Sequence, residues 1–127
     1  MLRSKIHRAT VTQSNPNYLG SLTIDEDLLN QADLASFEQI HVLSVTSGER
    51  LVTYAIPGKK GSGIICTNGA AALKIKKGET IIILAFCDVP EHEVMNVQPR
   101  ILLVDKKNKV IKTLDGQEHV LNIHKEL

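Results

Sequence analysis

Short stretches of alternating apolar and polar side chains, broken by turn residues, dominate this chain and predict a mainly β protein with brief helices. Residues 5–12 read as a first strand, and Ser14-Asn15-Pro16-Asn17 predicts a hairpin-like reversal before Tyr18. Residues 19–24 resume an extended pattern. From Thr23-Ile24-Asp25-Glu26 a short helix is expected to run to about Ala32, opened by a capping box and an acidic first turn. Asp25, Glu26 and Asp27 therefore read as helix-start residues rather than as a catalytic or metal-binding carboxylate cluster. Residues 40–46 and 51–56 flank Ser47-Gly48-Glu49 and predict a hairpin, and 57–63 read as a loop. Asn68-Gly69-Ala70-Ala71-Ala72-Leu73 predicts a helix start with Asn68 as N-cap, and Gly78 ends that element. Residues 80–86 form a strand, 89–94 a short helix, and 101–104 with 110–113 a second hairpin. The tail from residue 114 is charged and carries no clear pattern. Many short strands joined by turns suggest a compact β-barrel.

Composition narrows the picture. A chain of 127 residues is the size of one domain, with no second domain expected. Only two tyrosines and two phenylalanines are present, and no tryptophan, so Ile, Leu, Val and Ala must build the core. With 15 basic and 14 acidic residues there is no broad field to steer nucleic acid or an anionic membrane. Lysines cluster at residues 59–60, 74–77 and 106–109 without interleaved aromatics, which fits solvated turns better than a base-stacking platform. Charge interrupts the first eight residues, where a secretory signal needs an apolar run. The longest apolar run, residues 81–86, is far short of the roughly 20 needed to cross a bilayer. Cys66 and Cys87 lack a Cys-x-x-Cys partner, and His7, His41, His92, His119 and His124 show no ligand spacing, so no metal is expected. A cytoplasmic protein with reduced thiols is the expectation.

Several residues carry candidate chemistry. Gly-Ser by itself marks a turn far more often than a cleavage site. In Gly20-Ser21, however, the serine hydroxyl can turn on the carbonyl behind it, converting the amide to an ester. Elimination then cuts the chain, and hydrolysis of the dehydroalanine leaves a pyruvoyl group at residue 21. Glycine suits the preceding position because it tolerates strained backbone angles and leaves its carbonyl open. Arg50-Leu51-Val52-Thr53-Tyr54 offers a carboxylate binder, a hydroxyl and a phenol in one strand. Phenols titrate near ~10 in water, so a tyrosine there keeps a proton to give to a carbanion. In a regular strand Arg50, Val52 and Tyr54 share a face and Thr53 points away, so a bulge, strong twist or a site between subunits is required for joint action. Lys5 and His7 share one face of the first strand, a surface pair or a source of positive charge for a dianionic substrate. The small residues after Asn68 suit either a tightly packed capped helix or a backbone that approaches an anion.

Four segments in this order, Lys5-Ile6-His7-Arg8-Ala9, Asn17-Tyr18-Leu19-Gly20-Ser21-Leu22-Thr23-Ile24-Asp25, Gly48-Glu49-Arg50 with Thr53-Tyr54-Ala55, and Asn68-Gly69-Ala70-Ala71-Ala72, resemble bacterial aspartate 1-decarboxylases across roughly residues 3–105. The resemblance implies a double-psi β-barrel and a pyruvoyl-dependent conversion of L-aspartate to β-alanine and carbon dioxide, on the route to pantothenate and coenzyme A. It also implies self-cleavage into residues 1–20 and 21–127, with no pyridoxal phosphate, and homotetramers whose sites lie between subunits. By position, Ser21 becomes the pyruvoyl group that forms a Schiff base, Tyr54 the proton donor, and Thr53 a processing and substrate residue. Gly69, Ala70 and Ala71 match substrate-holding backbone, Arg50 and Lys5 carboxylate-binding positions, and Asn68 a residue beside the pyruvoyl group. His7 and Tyr18 are supporting residues. Expected partners are L-aspartate and further copies of the chain, with neither nucleic acid nor membrane, and any maturation factor is of unknown identity. Leu22 stands where some members have cysteine, and Leu43 where some have tryptophan. A binding or assembly module that never matures is the competing reading; intact mass distinguishes the two.

Overall fold

The computed structural model describes residues 1–126. Nine strands carry the fold: β1 Leu2–Thr10, β2 Gln13–Asn15, β3 Ser21–Asp25, β4 Gln39–Ser44, β5 Arg50–Gly58, β6 Ile65–Asn68, β7 Thr80–Phe86, β8 Arg100–Val104 and β9 Val110–Leu114. Three α-helices are short, α1 Glu26–Gln31, α2 Ala71–Lys74 and α3 Gly116–Glu126, and Glu91–Asn96 forms a 3-10 turn. The strands hydrogen-bond in the order β2-β6-β3-β5-β4-β7-β1-β8-β9. Strand alternation accounts for the inner face: Ile40 and Val42 of β4, Ile81, Ile83 and Ala85 of β7, and Ile6 of β1 are buried, while their neighbours along each strand are less so. Aliphatic side chains make up the buried hydrophobic cluster, as the scarcity of aromatics requires. This mainly β architecture with few short helices agrees with the expected double-psi β-barrel.

Both predicted hairpins form, with β4 antiparallel to β5 and β8 antiparallel to β9. The first predicted reversal does not bring its two flanks together. The turn itself is present, with Asn15 Oδ1 accepting from the Asn17 N–H at 2.9 Å and the Asn15 carbonyl from the Tyr18 N–H at 3.3 Å. Beyond it, however, β1 pairs with β7 and β8, and β2 runs parallel to β6. Long-range ladders outcompete the local return. The same cause carries β5 through Pro57 and Gly58, read from sequence as loop: these residues lie opposite Ile24 and Asp25 in a parallel ladder with β3.

Four further local expectations are corrected. Helix α1 is capped by Asp25, whose Oδ1 accepts from the Asp27 N–H at 2.9 Å, while Thr23 stays in β3, so no capping box forms. Asn68 is not an N-cap; it ends β6, and α2 begins after Ala70 without a side-chain cap. The tail forms α3 and packs on β8 and β9. The helix expected at 89–94 appears as the tighter 3-10 turn two residues later.

Asp25 also ties the ladders together. Its carboxylate accepts from the Gly61 N–H at 2.9 Å and the Gly63 N–H at 2.7 Å, besides the α1 cap. Burial alone would raise its pKa, but the three N–H donors and the Lys109 ammonium at 3.9 Å prevail and hold it below the ordinary carboxylate value. No helix among the described residues is long and apolar enough to cross a membrane.

Candidate active site

Parallel pairing of β3 with β5 and antiparallel pairing of β3 with β6 set the first residue of β3 between two neighbouring strands. That residue is Ser21, opposite Asn68 and only 2% exposed. Its φ is +108°. Among the described residues the other non-glycine positive values, at Arg8, Asp33, Phe37 and Asn108, lie between 57° and 71°, inside the left-handed well. Ser21 lies outside that well, and such a backbone stores on the order of 1–3 kcal/mol. Gly20 immediately before it is exposed, with no other atom within 4 Å of where a Cβ would stand. The Gly20–Ser21 peptide bond thus joins an open loop to a buried, strained strand start.

The side chain of Asn68 spans this point. Its Nδ2 donates to Thr23 Oγ1 at 2.8 Å and to Ser21 Oγ at 3.4 Å, and its Oδ1 accepts from the Cys66 thiol at 3.1 Å. Thr23 and Cys66 are the residues that motif reading missed. Spacing holds the signal for both: each lies two positions from a site residue in the same strand, hence on the same face.

A cleft of about 310 Å³ opens beside Ser21. Gly20 and Ser21 line one side, Thr53 and Tyr54 of β5 another, and Ala70 and Ala71 at the start of α2 a third. Thr53 and Tyr54 both reach it despite their opposite strand faces. Tyr54 is 39% exposed and its ring lies 6.2 Å from that of Phe37. Lys74 at the rim pairs with Glu49 at 3.6 Å. Gly69, expected to hold substrate, is not among the residues that line the cleft; its N–H donates to the Asn15 carbonyl at 2.9 Å, at a φ of +64° that favours glycine.

Lys5, His7 and Arg50 are not brought to this cleft within one chain. Arg50 is exposed at the start of β5. Lys5 and His7 line a separate cavity of about 310 Å³ between β1, β8 and α3, together with His119 and Asn122. Burial pushes the Lys5 ammonium below its ordinary range. His119 is lowered too, first by burial and then by the nearby Lys5 charge. Tyr18 is half exposed, its hydroxyl 3.5 Å from Gln13 Nε2.

Comparison with known proteins supplies the relation. Residues 1–111 match the family model described as aspartate decarboxylase. An aspartate 1-decarboxylase of Caldicellulosiruptor bescii is 50% identical over 119 residues, which cover 94% of this chain and 93% of that protein. Those of Clostridium botulinum (strain 657 / Type Ba4) and Pelotomaculum thermopropionicum are 45% and 44% identical over 94% of this chain, covering 94% and 90% of their own lengths. With a family match along most of its length and half of its residues shared with one such relative, the chain belongs to the aspartate decarboxylase family.

Proposed function

We propose that this chain cuts itself between Gly20 and Ser21, turns Ser21 into a pyruvoyl group, and then decarboxylates L-aspartate to β-alanine in the supply of pantothenate. Family membership supports the decarboxylation of aspartate. The observation that carries the self-cleavage is Ser21 itself, a buried non-glycine residue at φ +108° whose hydroxyl faces the Asn68 amide. Strain in the uncut chain is relieved when the bond breaks, which lowers the barrier for a residue held so.

Cleavage balances as follows. A bond forms between Ser21 Oγ and the Gly20 carbonyl carbon, the Gly20–Ser21 C–N bond breaks, and the hydroxyl proton passes to the freed nitrogen, giving an ester. Loss of the Ser21 Cα proton and breakage of its Cβ–Oγ bond release Gly20 as a carboxylate and leave dehydroalanine. Water then adds at Cα and ammonia departs, leaving the keto group. The residues present fit that group: residue 21 lines the cleft bordered by Thr53, Tyr54, Ala70 and Ala71, and Asn68 places an N–H donor at the residue. Once formed, the group supplies a carbonyl that condenses with an amine and takes up the electron pair left by a departing carboxylate.

The chain's own side chains supply the rest. Tyr54 brings a phenol to the cleft from β5, where its proton can return to the substrate α-carbon. Thr53 and the Ala70 and Ala71 backbone border the space a four-carbon diacid occupies. Arg50 and Lys5 lie away from the cleft of their own chain, which supports a site completed by a neighbouring copy in a homotetramer. Exposed Leu19, Phe37 and Val52 near the cleft support that assembly as well, since water-facing apolar side chains of this size favour a protein partner. A cytoplasmic enzyme of metabolism is the setting this reading implies.

Intact-mass analysis tests cleavage: fragments of residues 1–20 and 21–127 are expected, the latter with a keto terminus instead of an amine. Borohydride with L-aspartate should then fix a substrate adduct on residue 21 of the larger fragment. A permanently full-length chain, or a cut chain that traps nothing, would remove this function.

A further inference from the structure

Cys66 has no part in the chemistry above, yet it holds the far end of the Asn68 side chain, which hydrogen-bonds both Ser21 and Thr23. Its Sγ stands 3.1 Å from Asn68 Oδ1, closer than its 3.7 Å to the Thr67 carbonyl, and the residue is 2% exposed. A primary amide has two ends of nearly equal shape and opposite hydrogen-bonding sense. Hydroxyls both donate and accept, so Ser21 and Thr23 tolerate either end of Asn68. The thiol does not: it is a donor with only weak acceptor capacity, and it draws Oδ1 toward itself. Burial pushes its pKa up, which keeps the proton in place.

We infer that Cys66 is a positioning residue for chain cleavage, its S–H fixing the Asn68 amide so that Nδ2, and not Oδ1, faces the Ser21 oxygen. This rests on the self-cleavage proposed above. With Nδ2 toward it, Ser21 Oγ meets the positive end of an N–H dipole as its proton leaves. With the amide reversed, the same oxygen faces the negative end, and attack on Gly20 is opposed. The Asn68–Thr23 bond at 2.8 Å is the second anchor and holds the amide plane within reach of both hydroxyls.

The Cys66→Ser and Cys66→Ala variants separate hydrogen bonding from packing. Cleavage of freshly purified chain, followed by intact mass, should be roughly three- to tenfold slower in Cys66→Ala, the range for one neutral hydrogen bond, and fall between alanine and parent in Cys66→Ser, whose hydroxyl donates to Oδ1 but also accepts the reversed amide. A packing role gives the opposite order, because a buried hydroxyl is costlier than a methyl. Cys66→Val, suited to a buried strand, serves as a second non-donor should the alanine variant fail to fold. In uncut Ser21→Ala chain, cross-peaks between the Asn68 amide protons and the Thr23 side chain should persist with Cys66 and weaken in Cys66→Val. Parent-like cleavage in both non-donor variants, or an Asn68 amide unmoved by them, overturns the assignment. A parent chain that never cuts removes the proposed function, while the Asn68 cross-peaks still decide the role of Cys66.

Discussion

Gly69 presses directly on Gly20: a Cβ built on Gly69 would stand 3.1 Å from Gly20 Cα, 3.3 Å from its nitrogen and 3.1 Å from the Tyr18 carbonyl oxygen. All three neighbours are backbone atoms of the segment leading into Ser21, so a side chain here would force that backbone to give by a few tenths of an ångström. At φ +64° the position is left-handed as well. Gly69→Ala should therefore cost about 1–2 kcal/mol from backbone conformation, before any contact strain. It should also displace residues 18–20 and slow cleavage. Urea denaturation in the uncut Ser21→Ala background measures the first effect and intact mass the second; an alanine variant of unchanged stability and cleavage rate would dissolve the claim.

The strain at Ser21 has its own signature. Ser21→Ala and Ser21→Gly both remove the hydroxyl and its contact with Asn68, and both should leave the chain full length. They differ in backbone freedom. At φ +108° glycine avoids on the order of 1–3 kcal/mol of strain, against about 0.5–1 kcal/mol of extra unfolded-state entropy. At the middle of these ranges Ser21→Gly should thus be the more stable by about 1 kcal/mol. Equal denaturation midpoints would mean that the uncut chain holds no strain there.

Tyr54→Phe isolates the phenol. Cleavage at residue 21 should proceed, because the serine chemistry does not use Tyr54, while aspartate turnover falls by about 10²–10⁴-fold, the range for loss of a placed proton donor. Stopped-flow or coupled detection of carbon dioxide against the trapped fraction of active chain provides the measure. Full turnover in that variant would move the proton donor elsewhere.

Asp25 predicts acid sensitivity. Its carboxylate is held below the ordinary 3.8 by the Gly63, Gly61 and Asp27 N–H groups with help from Lys109, against the opposing effect of burial. The stabilisation is therefore complete above the unfolded-state value and is lost as pH falls through 3.8 toward the lower folded-state value. Asp25→Asn keeps the shape but not the charge, and should cost about 1.5–3 kcal/mol at neutral pH, the value of a hydrogen bond to a charged group. The variant should also show a flatter acid limb, which chemical denaturation across pH would reveal; parallel limbs would assign the acid sensitivity to other groups.

His119 reports on the Lys5 cavity. Burial and then the Lys5 charge lower its pKa below the ordinary 6.5, so folding disfavours its charged form. Stability from this group is whole above 6.5 and declines as pH drops from there toward the folded-state value. Lys5→Met should raise the His119 pKa, seen as an upfield-to-downfield NMR titration moved to higher pH. A titration unaffected by that change would place the two charges out of mutual reach.

Local alternation and turn chemistry determined the mainly β class, the two hairpins and the aliphatic core, because each depends on a residue and its near neighbours, whereas Ser21, Tyr54 and Asn68 were singled out together by the resemblance of four ordered segments. The partners of β1, β2 and β3 were decided by tertiary structure alone. Parallel ladders close over dozens of residues, as when Gln13 meets Cys66 or Leu22 meets Ala55, and no local pattern encodes which distant strand wins. Asn68 shows the consequence most clearly: its sequence neighbourhood describes a helix cap, but its place opposite Ser21 turns it into a hydrogen-bond donor to that hydroxyl. The strained angle at Ser21, the reach of both Thr53 and Tyr54 into one cleft, and the separation of Lys5 and Arg50 from it likewise follow from how strands cross, a property of the whole fold rather than of any segment.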